Sequence, residues 1–245
     1  MGALRLLASL FLLLIGVPTL LLVAVVPGRV AGARLSLWVA VGISRAFLVI
    51  MGVRIALVDR NALRTHRGFV FFNHVSFLDV VVLLAVRPVR YLATAGVRSI
   101  PAIGWMATAV GTLYVHRGDP DSREEARADL AAAYRRSPTP VALAPEGGVH
   151  PGPWVQPFRH GAFEVAQSVS APILLVALDY EPRGRAAWLK GESLLKAAWR
   201  LGARTDAMTV VVRALSPEVV VTDPAADAAE AEARIDQALG KPSGA

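Results

Sequence analysis

An apolar run from Phe69 to Val86 is interrupted by four polar residues, Asn73, His74, Ser76 and Asp79. An imidazole and a carboxylate could act there as a general-base pair, because the carboxylate fixes the ring tautomer and raises the basicity of the other nitrogen. On a continuous helix the H-x4-D spacing separates the two side chains by roughly 140°, so contact requires His74 in the turn before a helix that holds Asp79. A helix N-cap beside a surface histidine gives the same pattern, so the spacing alone leaves both interpretations open.

Three further stretches carry residues that bind anions or polarise carbonyl groups. A strand-like segment ends in Arg117, and a guanidinium at a strand end can clamp a phosphate. Glu146, Gly147 and Gly148 close another strand, where glycines allow close approach of a ligand and leave backbone amides free. Arg159 begins a helical segment, and helix N-termini attract phosphate. Taken singly, each stretch has an ordinary structural interpretation as well: a solvated strand end for the first, a plain loop for the second and a helix cap for the third.

These polar stretches lie between apolar segments that alternate with helix-like ones. The strand candidates are residues 55–58, 69–72, 91–94, 112–115, 140–144, 173–179 and 208–214, and the helix candidates are 78–85, 99–108, 122–135, 159–169 and 225–239. This alternation predicts an α/β fold with a mostly parallel sheet flanked by helices. Ligands of such sheets gather at the carboxyl ends of the strands, which is where His74 would lie.

The first apolar segment runs from Leu6 to Gly28 without a charge and is long enough to span a bilayer. A signal peptide is the alternative, since residues 31–33 (Ala-Gly-Ala) fit a cleavage pattern. The segment is, however, longer than the roughly 7–15 apolar residues of a signal peptide. We therefore predict a retained, membrane-inserted helical anchor.

A second apolar stretch, residues 35–58, is interrupted by Arg45 and Arg54, which favours a helix that lies in the membrane interface or re-enters it. Pro18 could bend the first segment, so a shallow helical hairpin is possible and the pattern does not separate spanning from monotopic insertion. We divide the chain into an N-terminal membrane anchor with interfacial helices, residues 1–53, and an α/β domain, residues 54–245.

Composition narrows the function classes. With 54% hydrophobic and 18% charged residues, the chain is more apolar than an ordinary soluble enzyme, which indicates contact with lipid. The net charge of +7 suits anionic headgroups or phosphorylated substrates, whereas the lack of a basic run interleaved with aromatics argues against nucleic acid. The absence of cysteine excludes disulfides, thiolate metal sites and cysteine nucleophiles, and the histidines lack metal-ligand spacing, so no metal is predicted.

Together and in this order, the polar stretches resemble the motifs of the glycerolipid acyltransferase superfamily, that of lysophosphatidic acid acyltransferases. Residues 73–79 (NHVSFLD) look like its first motif, N-H-x-S-x-x-D, and residues 111–117 are similar to its second. Residues 145–147 (PEG) look like the third motif, P-E-G-T, and residues 171–173 (API) resemble the fourth, V-P-I. The resemblance covers roughly residues 35 to 215.

The resemblance implies an O-acyltransferase that moves a fatty acyl group from acyl-CoA or acyl carrier protein to a lysophospholipid such as 1-acyl-glycerol-3-phosphate, without a cofactor. It implies His74 as general base and Asp79 as its orienting carboxylate. The residues expected to bind substrate are Arg117, Glu146, Gly147 and Arg159, and those expected to support the site are Asn73, Ser76 and Gly148. It also implies that the enzyme works at a membrane, at the cytoplasmic face of the bacterial inner membrane, and contacts membrane lipid.

The third motif departs from the commonest pattern, E-G-T-R-S, because Gly148 and Val149 replace the threonine and arginine. It is closer to the branch of lysophosphatidylcholine and lyso-ornithine-lipid acyltransferases, and the missing arginine weakens the case for a lysophosphatidic acid acceptor. Two alternatives remain open at this point. One is a catalytically impaired lipid-binding membrane protein, and the other is a membrane-anchored thioester hydrolase that uses Ser76, His74 and Asp79.

Overall fold

The computed structural model describes residues 2–116, 118–152 and 154–242, and its elements alternate between helix and strand. The strands are β1 (Arg29–Val30), β2 (Ala33–Arg34), β3 (Val53–Val58), β4 (Phe69–Phe72), β5 (Arg90–Thr94), β6 (Leu113–Val115), β7 (Val141–Leu143), β8 (Ile173–Glu181) and β9 (Met208–Val219). The helices are α1 (Gly2–Ala24), α2 (Leu35–Met51), α3 (Arg60–Thr65), α4 (Leu78–Val86), α5 (Ile103–Ala109), α6 (Pro120–Arg136), α7 (Gly161–Ser168), α8 (Leu194–Gly202) and α9 (Pro224–Ala238). A 3₁₀ turn covers Ala95–Ser99.

The central sheet has seven strands in the order β3-β9-β8-β4-β7-β5-β6. Strands β8, β4, β7, β5 and β6 are parallel to one another, and β9 pairs antiparallel with β8 and parallel with β3. The predicted fold class, a mostly parallel sheet flanked by helices, is therefore confirmed. The carboxyl ends of the five parallel strands form one edge of the sheet, here called the carboxyl edge, and their starts form the amino edge.

Strand β4 shows why the sequence folds in this way, since every residue from Phe69 to Phe72 is buried. Phe69 and Phe71 point into a core shared with α6, α7 and α9, while Val70 and Phe72 point into a core shared with α2 and α4. A continuous apolar run is what a strand covered by helices on both faces requires. Burial of each phenylalanine contributes roughly 1.5–3 kcal/mol, so β4 is held firmly up to the polar residues that follow it.

Helix α1 lies along the domain, where it contacts α2, α5 and α8. Gly16 allows a close approach to α2, because a Cβ at this position would lie 3.0 Å from the Cδ1 of Ile43. The outward face of α1 is apolar and exposed; Leu7, Phe11 and Leu14 are all more than half accessible. By length and composition α1 could cross a membrane, and Pro18 does not interrupt it.

Helix α2 continues into the sheet. It ends at Met51 and is followed by Gly52, whose φ of 67° lies in the left-handed region, and β3 begins at the next residue. The inner side of α2, including Leu37 and Met51, belongs to the same core as the sheet, and Arg45 donates a hydrogen bond to the carbonyl of Ala85. The division of the chain at residue 53 stays a prediction, although the packing of α2 is continuous with the α/β domain.

The predicted helix over residues 99–108 is wrong in its first half. The chain is extended at Ile100, and an α-helix begins only at Ile103. Pro101 explains the break, because proline disfavours helical geometry in the residue before it and lacks an N–H to donate. The structure also contains three features that the periodicity did not predict, namely α3, α8 and the ribbon formed by β1 and β2.

Candidate active site

The structure brings His74 and Asp79 together at the carboxyl edge of the sheet. His74 lies in the turn after β4, Asp79 is the second residue of α4, and the imidazole Nδ1 is 2.8 Å from the carboxylate Oδ2. Because a carboxylate accepts, Nδ1 carries the shared proton, and in the neutral ring Nε2 is the nitrogen left to accept one. Nε2 makes no hydrogen bond to any residue that the structure describes, and the His74 side chain is 19% exposed whereas that of Asp79 is fully buried.

Asp79 receives three more hydrogen bonds. The backbone amides of Val75 and Ser76 each donate to Oδ2 at 2.8 Å, and the hydroxyl of Tyr180 donates to Oδ1 at 2.6 Å. Four donors at the first turn of a helix suit an ionised carboxylate. Burial and the charge of Asp79 raise the pKa of Tyr180 well above its usual range, so the phenol stays a donor.

Sequence reasoning missed Tyr180. Tyr180 lies on β8, which pairs with β4, the strand that leads to His74. Tyr180 and His74 are, however, far apart along the chain. The available signal was a polar end, Asp179 and Tyr180, on an otherwise apolar strand that leads to the same edge. The order of the strands in the sheet is needed to know that this polar end lies next to the motif of His74.

Two of the residues expected to support the site make structural contacts. The Asn73 amide bonds twice to the backbone of Leu178, donating from Nδ2 to its oxygen at 3.0 Å and accepting at Oδ1 from its N–H at 2.7 Å. This clamp extends the pairing of β4 with β8 to the residue before His74. The Ser76 hydroxyl is buried and accepts from the N–H of Leu78 at 3.2 Å, which satisfies the first N–H of α4.

Glu146 follows β7 and bridges the turn of His74 to the loop beyond it. Its Oε1 accepts from the N–H of His74 at 2.8 Å, and its Oε2 accepts from the N–H of Gln156 at 2.9 Å. Burial raises its pKa to about 7, outweighing the two amides, which favour the charged form. Both oxygens thus contact backbone, so the geometry gives Glu146 a positioning role, and its predicted contact with substrate stays a prediction.

Gly147 and Arg159 lie side by side. Gly147 has a φ of 79°, and a Cβ on it would fall 2.6 Å from the Nε of Arg159. The backbone N–H of Arg159 donates to the carbonyl of Pro145 at 3.0 Å, whereas its exposed guanidinium forms no ion pair with the described residues. The same loop contains Gly148, which is half-buried, and His150, whose N–H donates to the carbonyl of His74 at 2.8 Å. The loop therefore contacts the backbone of His74 and carries an exposed cation beside Gly147.

Arg117 lies outside the described residues, so its predicted contact with substrate remains a prediction. The strand before it, β6, ends at Val115 on the same edge as His74. Among the residues that the structure describes, no group of three or more His, Asp and Glu side chains is placed to hold a metal ion.

A cavity of about 310 Å³ opens beside the dyad. It is lined by Asn73 and Val75, which flank His74, and by Tyr180, which holds Asp79. At its rim Arg183 is paired with Asp179 at 3.0 Å. The volume is at the lower end of the roughly 300–1,000 Å³ typical of ligand pockets, which is enough for part of a substrate, although neither His74 nor Asp79 belongs to the lining.

Comparison with known proteins assigns the chain to a family. The profile of the Acyltransferase family matches residues 54–179, just over half of the chain and the part that contains the dyad, Glu146 and Arg159. The chain belongs to this acyltransferase family.

Two relatives share about a third of their aligned residues with the chain. A lyso-ornithine lipid O-acyltransferase of Pseudomonas aeruginosa is 31% identical over 149 residues, which are 59% of this chain and 57% of that protein. A 1-acyl-sn-glycerol-3-phosphate acyltransferase of Neisseria gonorrhoeae is 31% identical over 108 residues, 44% of this chain and 42% of that protein. The chain thus spans about half the length of the curated relatives it matches.

The crystal structure of the 1-acyl-sn-glycerophosphate acyltransferase PlsC from Thermotoga maritima shares the fold with a TM-score of 0.68. The match covers 98% of this chain and 96% of that one at 16% identity. The likeness shows that the two chains share their fold over nearly their whole length.

Proposed function

We propose that this chain is a membrane-associated O-acyltransferase that moves a fatty acyl group from a thioester to the hydroxyl of a lysophospholipid. The observation that carries the proposal is the state of His74. Its Nδ1 proton is held by a carboxylate that is itself fixed by three further donors, while Nε2 is left free at an accessible position. An imidazole in this arrangement is prepared to accept a proton from a hydroxyl.

In the proposed reaction, Nε2 of His74 takes the proton of the acceptor hydroxyl as that oxygen attacks the thioester carbonyl carbon. The C–S bond then breaks, the new ester is released, and the imidazolium returns its proton to the leaving thiolate. Asp79 stabilises the imidazolium formed between these steps, because the positive charge develops 2.8 Å from Oδ2. Atoms and charges balance without a covalent enzyme intermediate.

Backbone amides of the loop after β7 are the candidate oxyanion donors. The N–H groups of Gly148 and Val149 have no hydrogen-bond acceptor among the described residues, and both residues are half-buried. Amides aimed at a developing oxyanion stabilise it strongly in a partly dry site. Since this contribution comes from the backbone, it does not need the threonine and arginine side chains that these two residues replace.

The acceptor is proposed to be a lysophospholipid, and the donor acyl-CoA or acyl carrier protein. The exposed guanidinium of Arg159, which is free of ion pairs with the described residues, would bind the anionic part of the acceptor headgroup. Gly147 keeps this guanidinium close to the loop around His74. Arg117 is proposed as a second cation, on the resemblance of its motif alone.

The active site is proposed to work at a lipid surface. The exposed apolar face of α1 is continuous with α8, which contacts α1 and exposes Leu195 by 83% and Trp199 by 61%. Tryptophan favours the membrane interface, and the net charge of +7 favours anionic leaflets. We place the protein at the cytoplasmic face of a bacterial inner membrane, where a soluble thioester donor can reach it.

The contacts of Ser76 oppose the hydrolase alternative. A nucleophilic serine must present its hydroxyl to the base and to the substrate. Here Oγ is fully buried, accepts from the N–H of Leu78 and makes no hydrogen bond to His74.

The experiment is product analysis by mass spectrometry on the purified protein in detergent. Palmitoyl-CoA, oleoyl-CoA and an acylated carrier protein are each combined with a panel of lysolipids. We expect a diacyl product whose formation falls by roughly 10²–10⁴-fold in His74→Ala, since this is the usual contribution of a general base. The matched control is His160→Ala, which removes an exposed histidine that caps no helix through its side chain.

Each other outcome counts against the proposal. Turnover retained in His74→Ala would refute the mechanism, and free fatty acid formed without an acceptor would favour the hydrolase. Lysolipid binding by folded protein without any turnover would favour the lipid-binding protein.

A further inference from the structure

A second cavity of about 310 Å³ lies at the amino edge of the sheet, opposite to His74. It is bounded by the residues just before β4 and by the C-terminal end of α6, and its polar lining includes Arg67, Tyr134, Arg135 and Ser137. We propose that this cavity binds the phosphate of an anionic phospholipid headgroup, at a site separate from the acyl-transfer site.

The polar groups around this cavity are mainly donors. Arg67 and Arg135 are exposed and make neither an ion pair nor a side-chain hydrogen bond with the residues that the structure describes. The Ser137 oxygen already accepts from Nη1 of Arg29 at 3.3 Å and from the N–H of Thr139 at 3.2 Å, so its proton is available to donate. No carboxylate belongs to the described lining. A donor-rich lining of this kind selects an anion.

The arginines around the cavity strengthen this selection. Nη1 of Arg87 donates to the carbonyls of Leu63 and His66, and Nη2 of Arg90 donates to those of Ala133 and Thr139, so all of these acceptors are neutral. Burial, and to a smaller extent a nearby positive charge, lowers the pKa of both guanidinium groups to about 10; the charge is Arg67 for Arg87 and Arg29 for Arg90. Cations that repel one another here would be stabilised by a bound anion.

Helix capping does not account for the whole arrangement. Arg135 and Arg136 lie in the last turn of α6, where cations complement the helix dipole. Arg67, however, comes from the segment between α3 and β4 and reaches the same cavity. Two guanidinium groups that converge from different elements suit the several oxygens of a phosphate.

The position of α1 favours a lipid as the source of the phosphate. The chain leaves α1 through Val25, which is 81% exposed, and reaches Arg29, which contacts Ser137 in the cavity wall. With the outer face of α1 in a bilayer, this end of the helix places the cavity at the level of the headgroups. The lipid source thus rests on the proposed membrane association, whereas the selection for an anion does not rest on acyl transfer.

The test compares two double variants of the full chain in vesicle flotation. Arg67→Gln with Arg135→Gln removes the cavity pair, and Arg64→Gln with Arg136→Gln removes two exposed arginines from α3 and α6 that do not line the cavity. The two variants lose equal charge. On vesicles of phosphatidylcholine with added phosphatidylglycerol, we expect the variant without the cavity pair to bind roughly tenfold more weakly than the variant without the control pair. The loss of two contacts between arginine and headgroup accounts for a change of this size. On phosphatidylcholine alone the two should bind equally.

Equal losses in both variants on anionic vesicles, together with no selective effect of inorganic phosphate, would overturn the site, because diffuse charge alone would then explain the binding. Inorganic phosphate provides the second arm. If it raises the melting temperature of the wild type and of the control pair but not of the cavity pair, and flotation does not differ, the cavity binds free phosphate and the lipid source is wrong.

The acyl-transfer rate in detergent separates this inference from the proposed function. The cavity pair should keep the rate of the wild type there, since neither arginine touches the dyad. If the wild-type protein shows no transferase activity but the variant Arg67→Gln with Arg135→Gln still binds anionic vesicles more weakly, the proposed function is refuted and the phosphate site is not.

Discussion

Replacing Asp79 by asparagine tests whether its charge, rather than its shape, drives the proposed chemistry. The two backbone amides that donate to Oδ2 require an acceptor at that position, so the asparagine oxygen should occupy it and the NH₂ should face Tyr180. The phenol can turn and accept from this NH₂. The Nδ1 proton of His74 then still has an acceptor, and the tautomer with a free Nε2 is retained.

The change therefore removes mainly the negative charge next to the imidazolium that forms during transfer. Two unit charges about 4 Å apart, at an effective dielectric constant of about 20, interact by about 4 kcal/mol. The ground state has a neutral imidazole and gains little from this interaction, so the loss falls on the transition state. A barrier higher by about 4 kcal/mol corresponds to a kcat roughly 10³-fold lower, with KM little changed.

The assay is the rate of diacyl product formation, measured by mass spectrometry with saturating acyl-CoA and the best lysolipid acceptor. Thermal unfolding of the same preparation shows whether the variant is folded, and we expect a moderate loss of stability, because the two amides and Nδ1 keep an acceptor whereas the hydroxyl proton of Tyr180 loses the one it had. Asp79→Ala is the contrast, since it leaves the buried amides of Val75 and Ser76 unpaired and should lower stability by about 1–3 kcal/mol for each. A folded Asp79→Asn protein within tenfold of the wild-type kcat would refute the electrostatic role.

Two further predictions concern the groups that hold the dyad. Tyr180→Phe removes the 2.6 Å hydrogen bond to Asp79, so we expect the free energy of unfolding to fall by about 1.5–3 kcal/mol and kcat to fall several-fold; urea unfolding and the product assay measure both, and no change in either would contradict the role of the phenol. The pKa of Glu146 is raised by burial from 4.5 to about 7, so the folded protein binds the extra proton between these values and its stability should fall by about 3 kcal/mol as pH rises through them. Urea unfolding across this pH range should show a flatter dependence in Glu146→Gln, and an unchanged slope would refute the shift.

The local part of the site could be predicted from the sequence. The apolar run 69–72, the polar break and the apolar run after residue 78 are contiguous, so one strand, one turn and one helix bring His74 to Asp79. The contact of an imidazole with a carboxylate five residues later depends on a single turn, and the strand before this turn and the helix after it are both specified by unbroken apolar runs. Alternation of short strands and helices likewise predicted the parallel sheet.

The long-range part could not be predicted in this way. Tyr180 and Leu178 follow the dyad by about a hundred residues, and they reach it because β8, rather than β5, is the neighbour of β4. Hydrophobic patterns identify a strand but not its neighbours, since every central strand of such a sheet is apolar on both faces. The break at Pro101, in contrast, had a local signal, because proline opposes a helix at the residue before it.

The proposed chemistry is compatible with the departure of the loop after β7 from the commonest third motif. Its contacts with His74 come from the Glu146 carboxylate and from the backbone of His150, and the free amides of Gly148 and Val149 are also backbone groups. Side chains at positions 148 and 149 are therefore not needed to hold the base or to provide oxyanion donors. What the replacement does remove is a cation for the acceptor, and under the proposed function Arg159, which lies beside Gly147 just before α7, would supply one. The departure should thus alter which lysolipid headgroup is accepted more than it alters the rate of transfer.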